Sequence, residues 1–241
     1  MKSINHSSVR IPKVLTIAGS DSGGGAGLQA DLKVMTSLGV YGMTVVTAIT
    51  AQNTLGVSKI QGIDLNVIEA QIDAVVNDIG VDAIKIGMLS SPDIVHCVAA
   101  ALRRHAIKII VLDPVLRATS GASLGGDETA HAMREALFPL ATIITPNMEE
   151  ASILLGRSVE EPDDFVQAAQ DLLQMGPAAV LIKGGHLDQN QHGVDARRFG
   201  RPQHQQTGDQ QGHDDGRDVD DANREVRCGN EAVHGPGGAG G

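Results

Sequence analysis

The sequence predicts an α/β fold with a mostly parallel central sheet and helices on both faces. Three observations carry this. Short apolar, β-branched runs recur along the first four fifths of the chain. They are apolar throughout, as strands buried on both faces are, rather than alternating. Stretches of helical periodicity separate them, and strand–helix alternation implies βαβ units with right-handed crossovers.

In chain order, residues 1–12 are polar and expected to be loose. A first strand is expected at 13–18. It empties into Gly19-Ser20-Asp21-Ser22-Gly23-Gly24-Gly25-Ala26-Gly27, and a helix to about Leu38 follows, with Leu28, Leu32, Met35 and Leu38 on one stripe. After a turn at 39–42, a second strand spans 43–50. Residues 57–63 read as a short strand or a flap, and 66–79 as a helix. A strand at 83–86 runs into Gly87-Met88-Leu89. Ser91 as N-cap and Pro92 at the first position open the next helix. Further strands are expected at 108–112, 141–144 and 178–182, with helices at 127–138, 148–155 and 163–175.

The chain has 241 residues, enough for one α/β domain with a substantial core. Aromatic residues make up only 2%, so that core must be aliphatic. A formal net charge of −10 argues against binding nucleic acid or an anionic membrane through a basic surface. No apolar run is long enough to span a bilayer, and a cytoplasmic protein is expected. Cys97 and Cys228 form no C-x-x-C pair, so neither zinc nor a redox dithiol is indicated. Cys97, in an apolar helical stretch, reads as a small packed hydrophobe.

Near Ala196 the composition changes. From Arg197 on, Gln, Asp, Gly, His and Arg dominate, and too few aliphatic residues remain to offset the entropy of ordering the chain. The expected organisation is a loose 1–12, a domain over 13–196 and a disordered polar tail over 197–241. His204, His213 and His234 in that tail have no metal-site spacing and read as solvated.

The chemistry lies at the strand ends. Gln52, Met88, Asp113, Asn147 and Lys183 follow five different strands, and open α/β sheets bind ligands beyond the carboxyl ends of their strands. Each alone has an ordinary reading: Asp113-Pro114 and Thr145-Pro146-Asn147 are turn sequences. Their joint placement points to a site. The glycine loop is either a tight βα turn or a ligand cradle. It is no Walker A loop, since no Gly-Lys-Ser/Thr follows. Nor is it a dinucleotide fingerprint, since the third glycine position holds Leu28 and the second strand ends without a carboxylate.

Six motifs in order, from about residue 13 to 195, resemble the hydroxymethylpyrimidine/phosphomethylpyrimidine kinases of the ribokinase-like superfamily, enzymes of thiamine biosynthesis. They are the loop and helix from Ala18 to Lys33, Thr47-Ala48-Ile49-Thr50-Ala51-Gln52-Asn53-Thr54, Lys85-Ile86-Gly87-Met88-Leu89, Leu112-Asp113-Pro114-Val115, Thr145-Pro146-Asn147-Met148-Glu149-Glu150-Ala151 and Lys183-Gly184-Gly185-His186. Gln52 in its Ala-Gln-Asn-Thr setting favours these enzymes over the related pyridoxal-type kinases.

The resemblance implies a ribokinase-like fold. It also implies ATP-dependent, Mg²⁺-dependent phosphorylation of 4-amino-5-hydroxymethyl-2-methylpyrimidine and of its monophosphate. Gly19 and the loop would close over the substrate, Asp31 and Gln52 would hydrogen-bond the aminopyrimidine, and Met88 and Val115 would pack on its ring. Asp113, Asn147, Glu150 and Lys183 would serve the nucleotide, with Asp113 and Glu150 also serving the metal. The ordinary alternatives are a solvated helix carboxylate for Asp31, plain core for Met88 and a first-turn helix acid for Glu150, with Glu149 competing for its metal role. The implied partners are the pyrimidine and ATP, and a homodimer, since family members often dimerise.

The family pattern continues into a Gly-Thr-Gly-Cys loop that opens a long apolar helix and supplies the anion hole. No such loop occurs here, and Arg227-Cys228-Gly229-Asn230 lacks its glycines and its helix. The catalytic group is therefore unassigned, with Lys183 the candidate. The C-terminal part of the fold is expected to be missing. A reading-frame change or a sequence error near residue 196 is the expected cause, which resequencing the coding DNA tests. A pyridoxal-type vitamin kinase, or a pyrimidine-binding remnant impaired in catalysis, are the competing readings.

Overall fold

The computed structural model describes residues 10–116, 126–161, 164–184 and, for the backbone alone, 195–197. Contacts divide the chain into two units, 1–202 and 203–241, and every described residue falls in the first. Residues 1–9, Gly185, His186 and everything after Arg197 lie outside the described residues, and with them most of the expected tail, its histidines and Cys228.

Among the described residues, eight strands form one sheet in the order β3-β2-β1-β4-β5-β6-β7-β8. They are β1 (Lys13–Asp21), β2 (Tyr41–Asn53), β3 (Gly56–Gly62), β4 (Ala83–Ile86), β5 (Ile110–Leu112), β6 (Ile143–Ile144), β7 (Val180–Ile182) and β8 (Asp195–Arg197). The six from β2 through β7 in that order are parallel; the edge strands β3 and β8 are antiparallel to their neighbours. The helices among the described residues are α1 (Gly27–Ser37), α2 (Leu65–Asp78), α3 (Pro92–Arg104), α4 (Gly126–Ala136), α5 (Met148–Leu155) and α6 (Asp164–Gln174).

The sequence places these elements to within a few residues, and the differences have local causes. β2 runs on through Asn53, so Gln52 sits inside the strand rather than after it. The reason is β3, which pairs with it as a hairpin and resolves the strand-or-flap alternative as a strand. Tyr41 and Gly42 belong to β2 as well, because Tyr41 pairs with Lys13. The expected helix at 127–138 stops at Ala136, where Pro139 turns the chain into a short 3-10 segment, Phe138–Leu140. β8 crosses the composition boundary: Arg197 pairs with Val180 and occupies the far edge of β7.

The sheet's two faces differ. Leu15, Ile17, Val45, Ile84, Ile86, Ile110, Leu112, Ile144 and Ile182 point to one face and join Ile68, Ile72, Val95, Val98, Leu102 and Met133 in the main core. Successive side chains in a strand alternate, so the intervening residues of β1 and β2 turn to the other face, where α1 packs. Gly42 shows how closely α1 packs there: a Cβ on it would come within 2.9 Å of Leu32 and 3.0 Å of Met35. The α1 face also carries Thr16 and Lys85, a register pair across β1 and β4. α3 is capped as its sequence predicts, with the Ser91 hydroxyl accepting from the Ile94 N–H and Pro92 in the first turn. Cys97 packs against the core as expected, its thiol donating to the Leu65 carbonyl at 3.6 Å.

Candidate active site

A cavity of about 570 Å³ lies at the carboxyl ends of the strands. All nine residues singled out from the sequence line it: Gly19, Asp31, Gln52, Met88, Asp113, Val115, Asn147, Glu150 and Lys183. The backbone ladder continues just beyond the strands and fixes this rim. Gly87 N–H donates to Ile17, Asp113 to Ile86, Thr145 to Leu112 and Lys183 to Pro146.

The glycine loop is folded by its own carboxylate. Asp21 is buried and accepts hydrogen bonds from the backbone N–H groups of Gly23, Gly25 and Ala26 at 2.8–2.9 Å. Those amides are thus engaged inside the loop, and the cradle presents its walls to the cavity. Gly27 adopts φ +55°, and a Cβ there would lie 2.3 Å from the Gly19 carbonyl oxygen, so only glycine fits. Ser22 ties the loop to β2. Its hydroxyl donates to the Gln52 carbonyl at 2.7 Å and accepts from the Gln52 N–H at 2.9 Å, where β2 breaks register against β3.

One part of the cavity is apolar. Met88, Val115 and Ala48 form a small cluster separate from the main core. Met88 is held from below by Thr47, whose hydroxyl donates to the Met88 carbonyl at 3.0 Å, and Gly19 leaves room for its methyl group. Gln52 lines the same cavity. Its side-chain oxygen accepts from Thr50, which leaves the amide N–H groups for other partners.

Asp31 is no solvated helix acid. Both its oxygens accept from Lys85, at 2.8 and 2.9 Å, and one also accepts from Thr16 at 2.6 Å. Lys85, Thr16, Asp21 and Ser22 carry no assigned role in the sequence reading. A lysine inside the apolar run Ala-Ile-Lys-Ile is a signal for one of them, since a charge on a central strand needs a partner.

The other part is acidic and cationic together. Lys183 and Asp113 form an ion pair at 2.7 Å, and the Thr145 hydroxyl donates to the same Asp113 oxygen. Asn147 and Glu150 form a capping box at the start of α5, each side chain accepting from the other's backbone N–H. Glu150 therefore serves both as a helix-capping acid and as a wall of the cavity. Burial pushes its carboxyl up to about 7, against the Asn147 N–H and Lys183, which favour the anion, and with Asp113 and Glu149 adding to the rise. Glu149 lines the cavity too.

A doubly wound sheet with a ligand rim at its carboxyl ends, bordered by an antiparallel hairpin, defines the ribokinase-like α/β fold. The profile of the phosphomethylpyrimidine kinase family matches residues 21–212, past the composition change. The chain belongs to the phosphomethylpyrimidine kinase family. The hydroxymethylpyrimidine/phosphomethylpyrimidine kinase of Bacillus subtilis is 45% identical over 185 residues, which cover 77% of this chain and 68% of that protein. A crystal structure of phosphomethylpyrimidine kinase from Clostridium difficile superposes with a TM-score of 0.72 at 45% identity, covering 78% of this chain and 80% of the other. Pyridoxal kinase of Staphylococcus aureus, solved with AMP-PCP, gives 0.67 at 37% identity, covering 75% and 66%. The chain spans about two thirds of the length of the curated kinases it matches.

Proposed function

We propose that the chain phosphorylates 4-amino-5-hydroxymethyl-2-methylpyrimidine and its monophosphate from ATP, as a kinase of thiamine biosynthesis. The observation that carries this is the single cavity joining the Met88–Val115 apolar pair and the Asp31 and Gln52 polar groups to the Lys183–Asp113 ion pair. The ring packs on Met88 and Val115, beside Gly19. Asp31 and Gln52 take its nitrogen and amine groups. Asp113, Asn147, Glu150 and Lys183 face the nucleotide. Holding the hydroxymethyl oxygen in line with the γ-phosphate is most of what phosphoryl transfer asks of a protein. The attacking oxygen, of the hydroxymethyl group or of the monophosphate, forms its bond to the γ-phosphorus as the bond to the bridging oxygen breaks; ADP departs with that oxygen, and any hydroxyl proton passes to solvent. Lys183 is the candidate for neutralising the developing charge, and no residue is assigned as base.

Magnesium fits the residues present. Among the described residues no group of three or more His, Cys, Asp or Glu side chains is placed to hold a metal by itself. Asp113, Glu149 and Glu150 are nevertheless oxygen donors on one wall, and Mg²⁺ commonly takes one or two carboxylates plus waters and substrate phosphates. Asp113 and Glu150 would hold it, directly or through water, and it would supply charge neutralisation at the phosphates. A cytoplasmic location and a homodimer complete the reading; no described helix is long and apolar enough to cross a membrane.

A pyridoxal-type vitamin kinase is the second reading, favoured by the likeness to the Staphylococcus aureus enzyme but at lower identity. ATP-dependent phosphorylation of hydroxymethylpyrimidine and of pyridoxal, with binding measured alongside, separates the readings. Turnover of the pyrimidine supports the first. Turnover of pyridoxal alone overturns it, and pyrimidine binding without turnover leaves a substrate-binding remnant.

A further inference from the structure

Lys85 is an isolated charge in a parallel strand, with Ile84 and Ile86 on either side fully buried in the core. It faces the opposite way, toward α1. There it and its register partner Thr16 meet the same carboxylate, that of Asp31. An ionised carboxylate offers about four acceptor sites and an ammonium three donors. On Asp31, Oδ2 accepts from both Thr16 and Lys85, and Oδ1 from Lys85 alone. One acceptor site is left, on Oδ1. Lys85 has two N–H groups on Asp31 and one left over.

The residues directly above this pair on the same face are Ala18 and Gly87, two positions after Thr16 and Lys85. Both line the cavity, as do Asp31 and Lys85. Their small size opens the pair to whatever the cavity holds. A Cβ on Gly87 would sit 3.1 Å from the Lys85 ammonium and 3.1 Å from the Ala18 Cβ.

We propose that Lys85 is a specificity-determining residue: with Asp31 it forms a neutral unit that presents one donor and one acceptor, and so reads a ligand edge carrying an acceptor beside a donor. On the pyrimidine-kinase reading, on which this rests, that edge is the ring nitrogen next to the amino-bearing carbon, together with the amine. Lys85 donates to that ring nitrogen and Asp31 accepts from the amine, while Gln52 donates to the other ring nitrogen. Pairing within the unit also leaves no net charge at the ring's edge, which suits a neutral heterocycle.

A cycle crossing protein and ligand tests it. Affinity is measured by calorimetry for hydroxymethylpyrimidine and for the analogue with C–H in place of that ring nitrogen, on wild type and Lys85→Met, with ADP as control. The wild type is expected to bind the analogue at least tenfold more weakly. Lys85→Met is expected to lose about tenfold for the pyrimidine but little more for the analogue, with ADP affinity unchanged. Gly87→Ala presses on the ammonium without changing any charge. It is expected to give the same pattern and stands in if Lys85→Met does not fold. Losses that multiply independently in the folded variants overturn the role of Lys85 and leave the functional reading intact. A wild type that binds ADP but no aminopyrimidine overturns both.

Discussion

Asn147 and Glu150 hold each other: the Glu150 N–H donates to the Asn147 side chain and the Asn147 N–H donates to the Glu150 carboxylate, each at 2.8 Å. The box stops the first turn of α5 from fraying and fixes a buried acid against the cavity wall.

That burial gives a pH signature. The Glu150 carboxyl rises from 4.5 to about 7 in the folded chain, mainly through desolvation. The folded state thus holds a proton that the unfolded state releases, and stability falls as pH rises between those values. The contribution is fully present below pH 4.5 and lost by about pH 7, on the order of 3 kcal/mol at most. Urea midpoints at pH 5 and pH 8 should show this, and Glu150→Gln should flatten the difference. An equal pH slope in the variant would count against it.

Two loop glycines should fail in different ways. Gly27→Ala meets a backbone carbonyl at 2.3 Å with φ +55°, and nothing flexible can give way. A loss of about 1–3 kcal/mol is expected in denaturant titrations. Gly19→Ala meets the end of the Met88 side chain at 2.5 Å, which a rotamer change relieves. That variant should keep its stability within about 1 kcal/mol but bind the pyrimidine less tightly, because the displaced methionine intrudes on the ring.

Ser22→Ala removes both hydrogen bonds between the loop and the Gln52 backbone. The site is exposed, so water replaces the lost partners and stability should fall by only about 0.5–1.5 kcal/mol. Pyrimidine affinity should fall further than ADP affinity, which calorimetry on both ligands can read. Equal losses would mean that Ser22 does not set the position of Gln52.

Lys183→Met breaks the ion pair with Asp113. Both groups are partly exposed, so the effect on melting should correspond to less than about 1 kcal/mol. On the proposed reading nucleotide affinity should fall markedly, since Asp113 loses its counter-charge on the wall assigned to the phosphates. Unchanged affinity for ADP would remove Lys183 from the nucleotide side.

Much of this molecule was legible in its residues. The uninterrupted apolar runs marked the strands, and Ser91-Pro92 the start of α3. The rim was legible too, because parallel strands all present their carboxyl ends on the same side. Glu150 showed where local reading stops: it is both the first-turn helix acid that the sequence allows and a wall of the cavity. The length of β2 was not legible, since Gln52 is extended by the pairing of β3. The loop's internal bonding to Asp21 was hidden among residues that equally suit an open cradle.

The sequence by itself determined the order of strands and helices, the rim and the family, because strand periodicity, turn residues and motif order are local properties of the chain. Only the tertiary structure decided which charges meet. Lys85 and Asp31 lie far apart along the chain, and α1 brings them together by packing over the Thr16–Lys85 register pair. Hydrogen-bond capacity is used up by neighbours in space, so what each site residue still offers a ligand is fixed only once the fold has closed.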